Sequence, residues 1–112
     1  MKIKKQKQTE REIIQVEHED ETLEFHFLPV LKTDCFFLVQ SPNFETLAKW
    51  VLSNKLIEIH GVEFEDGSVV TPADAYDLPI SLLFNVVAQY SEKIKAYSDQ
   101  ILNEQQPEKK SD

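Results

Sequence analysis

Between Pro79 and Leu102 the chain runs without a glycine or a further proline, and Ile80, Leu83, Val87, Tyr90, Ile94, Tyr97 and Ile101 recur at alternating spacings of three and four. That spacing is the repeat of one helical face, so the segment predicts a single amphipathic helix over residues 79–102. At ~1.5 Å per residue it is about 36 Å long, comparable to the diameter of the one domain that 112 residues can build. A helix of that length is able to overhang its own core. Leu82, Phe84 and Val86 widen the apolar face of its first half, which predicts burial there. After Tyr90 only Ile94, Tyr97 and Ile101 remain, a seam of coiled-coil width. The seam reads both as a core stripe and as a groove for a partner helix, and the length of the helix favours the groove as strongly as frequency favours the core.

Upstream, Ile14 and Val16, then Leu23, Phe25 and Phe27, alternate with polar residues around Glu19-Asp20-Glu21, the pattern of a β-hairpin. Residues 28–39 are ambiguous. Cys35-Phe36-Phe37-Leu38-Val39 fits a buried strand or a helical turn capped by Thr33 or Asp34, with the helix preferred. Ser41-Pro42 reads as a helix cap followed by proline in the first turn, and Phe44, Leu47, Ala48 and Val51 follow at helical spacing as far as Ser53, with Asn54 closing the helix. Ile57 to His60 alternates, Val62 to Phe64 alternates in the opposite phase across Gly61, and Asp66-Gly67 precedes Val69-Val70. This predicts a second hairpin with a bulge at Gly61. Thr71-Pro72-Ala73-Asp74 opens a short helical turn that Leu78-Pro79 ends. The expected fold is therefore α+β, with two β-hairpins near 12–28 and 57–70 packed on helices near 42–53 and 79–102. Its predicted core is Phe25, Phe27, Phe37, Leu47, Val51, Ile59, Phe64, Ile80, Leu83, Phe84 and Val87.

The net charge is −8, yet residues 1–9 contain Lys2, Lys4, Lys5 and Lys7 and no acid, so the remainder is more acidic than the total suggests. An acidic body repels phosphate backbones and argues against nucleic-acid binding. The expected organisation is a disordered basic arm over 1–9, one domain over 10–102 and a disordered polar tail over 103–112, where Asn103 to Asp112 lacks apolar residues. The apolar runs are far shorter than the roughly 20 residues of a membrane span, and Met1 to Lys5 is not followed by the apolar stretch of a secretory signal. A cytoplasmic, membrane-free protein is the expectation. Cys35 is the single cysteine, which excludes an internal disulfide and a multi-cysteine zinc cage.

Sites for chemistry are sparse. His18, His26, His60 and Cys35 do not fall at a spacing that puts two on one helical face or turn, so neither metal nor cofactor is expected. Two glycines cannot build a phosphate loop, and no serine or cysteine stands in an activating context, which predicts a protein without catalytic residues. Trp50 reads as the edge of the core or as a binding anchor. The partner-binding candidates are thus Trp50, Tyr90, Ile94, Tyr97 and Ile101.

Trp50 at the end of a helix, Gly61-Val62-Glu63 leading into the Asp66-Gly67 hairpin, Thr71-Pro72, and Leu78-Pro79 opening the terminal helix together resemble the tail assembly chaperones of long-tailed bacteriophages, over about Trp50 to Ile94. The resemblance implies a small α+β or mostly helical, non-catalytic protein that binds the long helical tape-measure protein and helps tail-tube subunits assemble around it. It also implies a frameshifted longer form, for which Glu108-Lys109-Lys110-Ser111 marks a candidate slippage point. Self-association through the seam would hide it until the client arrives. An acidic inhibitor that mimics DNA is the alternative from another class, and it rests on charge alone.

Overall fold

The computed structural model describes residues 1–2, 10–40 and 43–105. Most of the basic arm, the Ser41-Pro42 pair and the tail beyond 105, with its slippage candidate, lie outside the described residues. The chain has the expected α+β architecture: a three-stranded antiparallel sheet covered on one face by helices, the last of them long. No helix among the described residues is long and apolar enough to cross a membrane.

Strands β1 (Glu12–His18) and β2 (Glu21–Phe27) form the first hairpin, with Ile14 opposite Phe25 and Val16 opposite Leu23. These four and Phe27 are buried on one face, as their period of two requires. The turn residues Glu19 and Asp20 both adopt left-handed backbone, with φ of 51° and 69°. That two-residue turn matches the twist of the strands it joins, and here it is made without glycine.

Strand β3 (Leu56–His60) pairs antiparallel with β2 and completes the order β1-β2-β3. The second hairpin is correspondingly small. Residues 62–70 retain one bridge, Glu63 to Val69, around the Asp66-Gly67 turn, where Asp66 accepts from the Ser68 N–H at 2.9 Å. The bulge also lies elsewhere than expected. Pairing slips between His26–Glu58 and Phe27–Leu56, so Ile57 is the extra residue. The slip turns both Leu56 and Ile59 inward, three positions apart, and leaves Glu58 and His60 outside. Gly61 instead ends the strand at φ +93°, where a Cβ would come within 2.8 Å of the Thr22 carbonyl oxygen. Both its backbone angle and its close approach to β2 require glycine.

The ambiguous segment is helix α1 (Lys32–Gln40); it begins ahead of Thr33 and Asp34, so neither is its capping residue, and Asp34 in the first turn reaches back to accept from the Leu31 N–H at 2.8 Å. Helix α2 (Phe44–Asn54) is capped by Asn43 rather than Ser41: Asn43 Oδ1 accepts from the Thr46 N–H at 2.8 Å. Asn54 is the last helical residue and Lys55 takes the closing position, its N–H donating to Val51 O at 2.9 Å. The 3-10 helix Pro72–Asp77 begins as predicted, with Asp74 accepting from both the N–H and the hydroxyl of Thr71 at 3.0 and 2.9 Å. Helix α3 (Ile80–Gln105) then spans the domain.

Leu82, Leu83, Val86, Val87, Tyr90 and Ile94 of α3 are buried, and Lys93 ties its middle to Glu12 of β1 at 3.4 Å. Two predicted core residues are not in the core. Ile80 is 67% and Phe84 51% exposed. The buried face centres between Leu82-Leu83 and Val86-Val87, so Phe84 stands about 120° round the helix from it. Phe37 and Phe64 are half-buried and pack against the core from outside.

A buried ion pair holds α1 in place. Lys55 Nζ lies 2.8 Å from Asp34 Oδ2, with side chains only 5% and 4% exposed, and donates to Pro29 O at 3.2 Å. Beside it, the Tyr90 hydroxyl donates to Leu28 O at 2.8 Å and its ring stacks on Phe27 with centroids 4.5 Å apart. Burial holds the Tyr90 phenol well above its ordinary range, with the Asp34 and Glu12 carboxylates adding to the effect.

Candidate functional site

The five residues proposed to meet a partner do not form one exposed surface. Trp50 is half-buried, its ring stacked on Phe37 at 4.3 Å and 14°, so it seals the α1–α2 contact at the edge of the core. Tyr90 and Ile94 are 0% exposed, which corrects the expectation that they overhang the domain. The physical reason is α1. Its Cys35 Sγ sits 3.9 Å from Leu31 O and 3.9 Å from Ile94 O, so α1 caps the second half of α3 with its own apolar side chains. Tyr97 packs against the same core and Ile101 is half-buried. The Cys35 thiol is pushed up by burial and is therefore a packing group rather than a nucleophile.

The exposed apolar surface of α3 is at its beginning. Ile80 and Phe84 stand one turn apart, and Phe44 of α2, 39% exposed, meets Phe84 edge to face with ring centroids 5.5 Å apart at 84°. A second exposed apolar pair, Phe36 and Val39, lies on α1. Clustered apolar exposure of this kind marks surfaces that meet other molecules, whereas a lone exposed leucine does not.

The outer face of the sheet carries a polar cluster that sequence spacing did not reveal. Antiparallel pairing sets Glu24 opposite His60 and His26 opposite Glu58, so two histidines 34 positions apart become diagonal neighbours with ring centroids at 4.6 Å. His26 is only 12% exposed, because Arg11 folds over it. Arg11 Nη1 donates to Glu58 Oε1 at 2.7 Å and lies 3.2 Å from His26 Nδ1. Since a guanidinium only donates, Nδ1 is the acceptor, and the ring proton is on Nε2, donated to Glu24 Oε1 at 3.0 Å. Gln15 donates to the other Glu24 oxygen at 3.0 Å, and His60 Nε2 lies 3.2 Å from Glu58 Oε1. These bonds hold both carboxyls below their ordinary values: Glu24 through His26 first and then Gln15, Glu58 through His60 first and then Arg11. His26, Glu58 and His60 each present a donor atom, all within 4.8 Å of one another. His60 also borders an open cleft of about 770 Å³ lined by Glu21, Gly61, Glu63 and Phe64.

Among the described residues, no buried side-chain nitrogen or oxygen lacks a hydrogen-bond partner, the Asp34–Lys55 pair and the Tyr90 hydroxyl included. Compared with protein-family models, curated proteins and solved structures, the chain matches none of them.

Proposed function

We propose that the protein is a non-enzymatic, cytoplasmic binding protein that covers apolar helical surface on a structural partner, in the manner of the phage tail assembly chaperones its sequence resembles. The observation that carries this reading is the Phe44–Ile80–Phe84 surface, three large apolar side chains brought together from two helices and left open to solvent. An amphipathic helix docks on such a surface through side chains one turn apart. The acidic body around it keeps a complex with an apolar client dispersed, since net charge opposes association beyond the intended one. In this reading the partner is a tape-measure or tail-tube protein, and the docking residues are Phe44, Ile80 and Phe84 rather than Tyr90 and Ile94.

The test is to sequence the genes on either side of this one and, where they include a tape-measure gene, to co-express its product with this protein and purify the pair by affinity. Wild type is expected to retain the partner and the Phe84→Asp variant to lose it, with unchanged circular dichroism. A neighbourhood without tail genes, or equal retention by Phe84→Asp, overturns the reading. An acidic DNA mimic would instead be indifferent to Phe84→Asp and would lose its target steeply as salt is added.

A further inference from the structure

The arrangement around Arg11 is that of a cation site. Two acceptors from different strands, His26 Nδ1 and Glu58 Oε1, lie 3.9 Å apart and both point at the same guanidinium nitrogen, at 3.2 and 2.7 Å. His60 Nε2 lies 3.2 Å from the same Glu58 oxygen. Tetrahedral zinc with bonds of about 2.0–2.1 Å sets its donors about 3.4 Å apart. The Glu58–His60 edge already meets that spacing, the Glu58–His26 edge is half an ångström wide of it and the His26–His60 edge lies within 4.8 Å, so χ rotations of the exposed Glu58 and His60 close the set around His26.

We propose that His26, Glu58 and His60 form a zinc site whose position the Arg11 guanidinium occupies until a Zn²⁺ ion displaces it. Two imidazoles and one carboxylate suit zinc, whereas Mg²⁺ and Ca²⁺ require more oxygen donors than this site provides. His26 already has the tautomer that binding through Nδ1 demands, because Glu24 fixes its proton on Nε2. The Glu24–His26 pair is thereby the outer carboxylate that orients a metal-binding imidazole. His60 binds through Nε2 after its ring proton moves to Nδ1. Arg11 leaves readily, since its side chain is 44% exposed and stands just before β1. The half-exposed Glu58 and His60 leave the fourth position to water. This inference is independent of the apolar docking surface, which lies on helices at the opposite face of the sheet.

Calorimetric titration of the full chain with zinc sulfate tests it. Wild type is expected to take up one equivalent, with Mg²⁺ giving no heat of binding. His60→Ala and Glu58→Gln, both at exposed positions, are expected to weaken uptake at least about tenfold with unchanged circular dichroism. Arg11→Ala is expected to bind more tightly than wild type, because the competing cation is gone, and His18→Ala to bind equally. Four results overturn the proposal: no saturable uptake by wild type, even if Arg11→Ala binds; uptake indifferent to His60→Ala and Glu58→Gln; Arg11→Ala no tighter than wild type; or loss of uptake with His18→Ala.

Discussion

The two halves of α3 are closer in burial than their sequences suggest. The first half, from Ile80 to Val87, is apolar nearly all round, yet it leaves Ile80 and Phe84 open to solvent. The second half carries a narrow stripe, and Tyr90 and Ile94 in it are completely buried. An apolar circumference does not mean full burial, because one sheet covers only one side of a helix, and a second cover must come from another element. Helix α1 provides that cover, and it sits over the second half, clamped by Asp34 and Lys55. Apolar content therefore says how much surface a helix could bury, and neighbours decide how much it does.

The sharpest way to break this comparison is to place a charge in each half. Ile94→Asp buries a carboxylate without a partner and should cost about 4 kcal/mol or more, enough to unfold a domain of this size. Phe84→Asp, on exposed surface, loses its edge-to-face contact with Phe44 and should cost only about 0.5–1.5 kcal/mol. Urea unfolding followed by circular dichroism measures both. If the two variants lose similar stability, the halves do not differ in the way described.

The clamp comes next. Asp34→Ala leaves Lys55 charged, buried and facing only Pro29 O, and should cost about 3–5 kcal/mol. Replacing both partners, Asp34→Leu with Lys55→Met, should recover most of that loss, since an apolar pair of similar volume is often no less stable than a buried ion pair. Where α1 is freed, Cys35 should also react faster with a thiol reagent, and this readout separates local release of α1 from general loss of stability.

These contrasts also mark what the sequence made legible. The first hairpin, the α2 stripe, the Thr71-Pro72 turn and the existence of α3 follow from periodicity and capping, which are local signals. The polarity of the inner and outer sheet faces follows equally from alternation in β1 and β2. What could not be read depends on pairing across the chain. The contiguous run Cys35 to Val39 has no period of its own, so nothing in it announced that α1 would lie on Ile94. Trp50 reads from sequence as core edge or as anchor, and its stacking on Phe37 decides for the core edge. The cluster of His26, Glu58 and His60 follows from no spacing within a single element, because these residues meet only through β2–β3 pairing. Pairing 57–60 with 62–70 instead of with β2 hid that contact. A signal was available in the matching Glu24-Phe25-His26 and Glu58-Ile59-His60 triplets, each with an acid and a histidine two apart on one strand face.

A smaller change sharpens the comparison within the buried half. Tyr90→Phe keeps the stacking on Phe27 and removes one hydrogen bond, leaving Leu28 O without that donor. The expected loss is about 0.5–1.5 kcal/mol, the net worth of one hydrogen bond at a part-buried acceptor and well short of a cavity. Tyr90→Ala, which adds the cavity, should lose about 3–5 kcal/mol. Thermal unfolding of the two variants side by side separates the hydrogen bond from the packing.

The mildest perturbation is alkaline pH, and its sign follows from Tyr90 alone. Burial keeps the folded phenol protonated above its ordinary value of 10.0, while the unfolded chain ionises near that value. Above pH 10 the unfolded state therefore binds fewer protons than the folded one, so this contribution to stability is fully present below pH 10 and is lost as pH rises past it. The slope is at most about 1.4 kcal/mol per pH unit for one group, and about 1 kcal/mol over the first unit, where ionisation of the unfolded chain is still incomplete. Other groups titrate in the same range, so the decisive quantity is the difference between wild type and Tyr90→Phe. Urea midpoints from pH 9 to 11 should converge for the two proteins as pH rises, because the variant has no buried phenol to lose. Parallel curves would mean that Tyr90 ionises in the folded state, which requires water to reach its hydroxyl past α1 and would make the second half of α3 as open as the first.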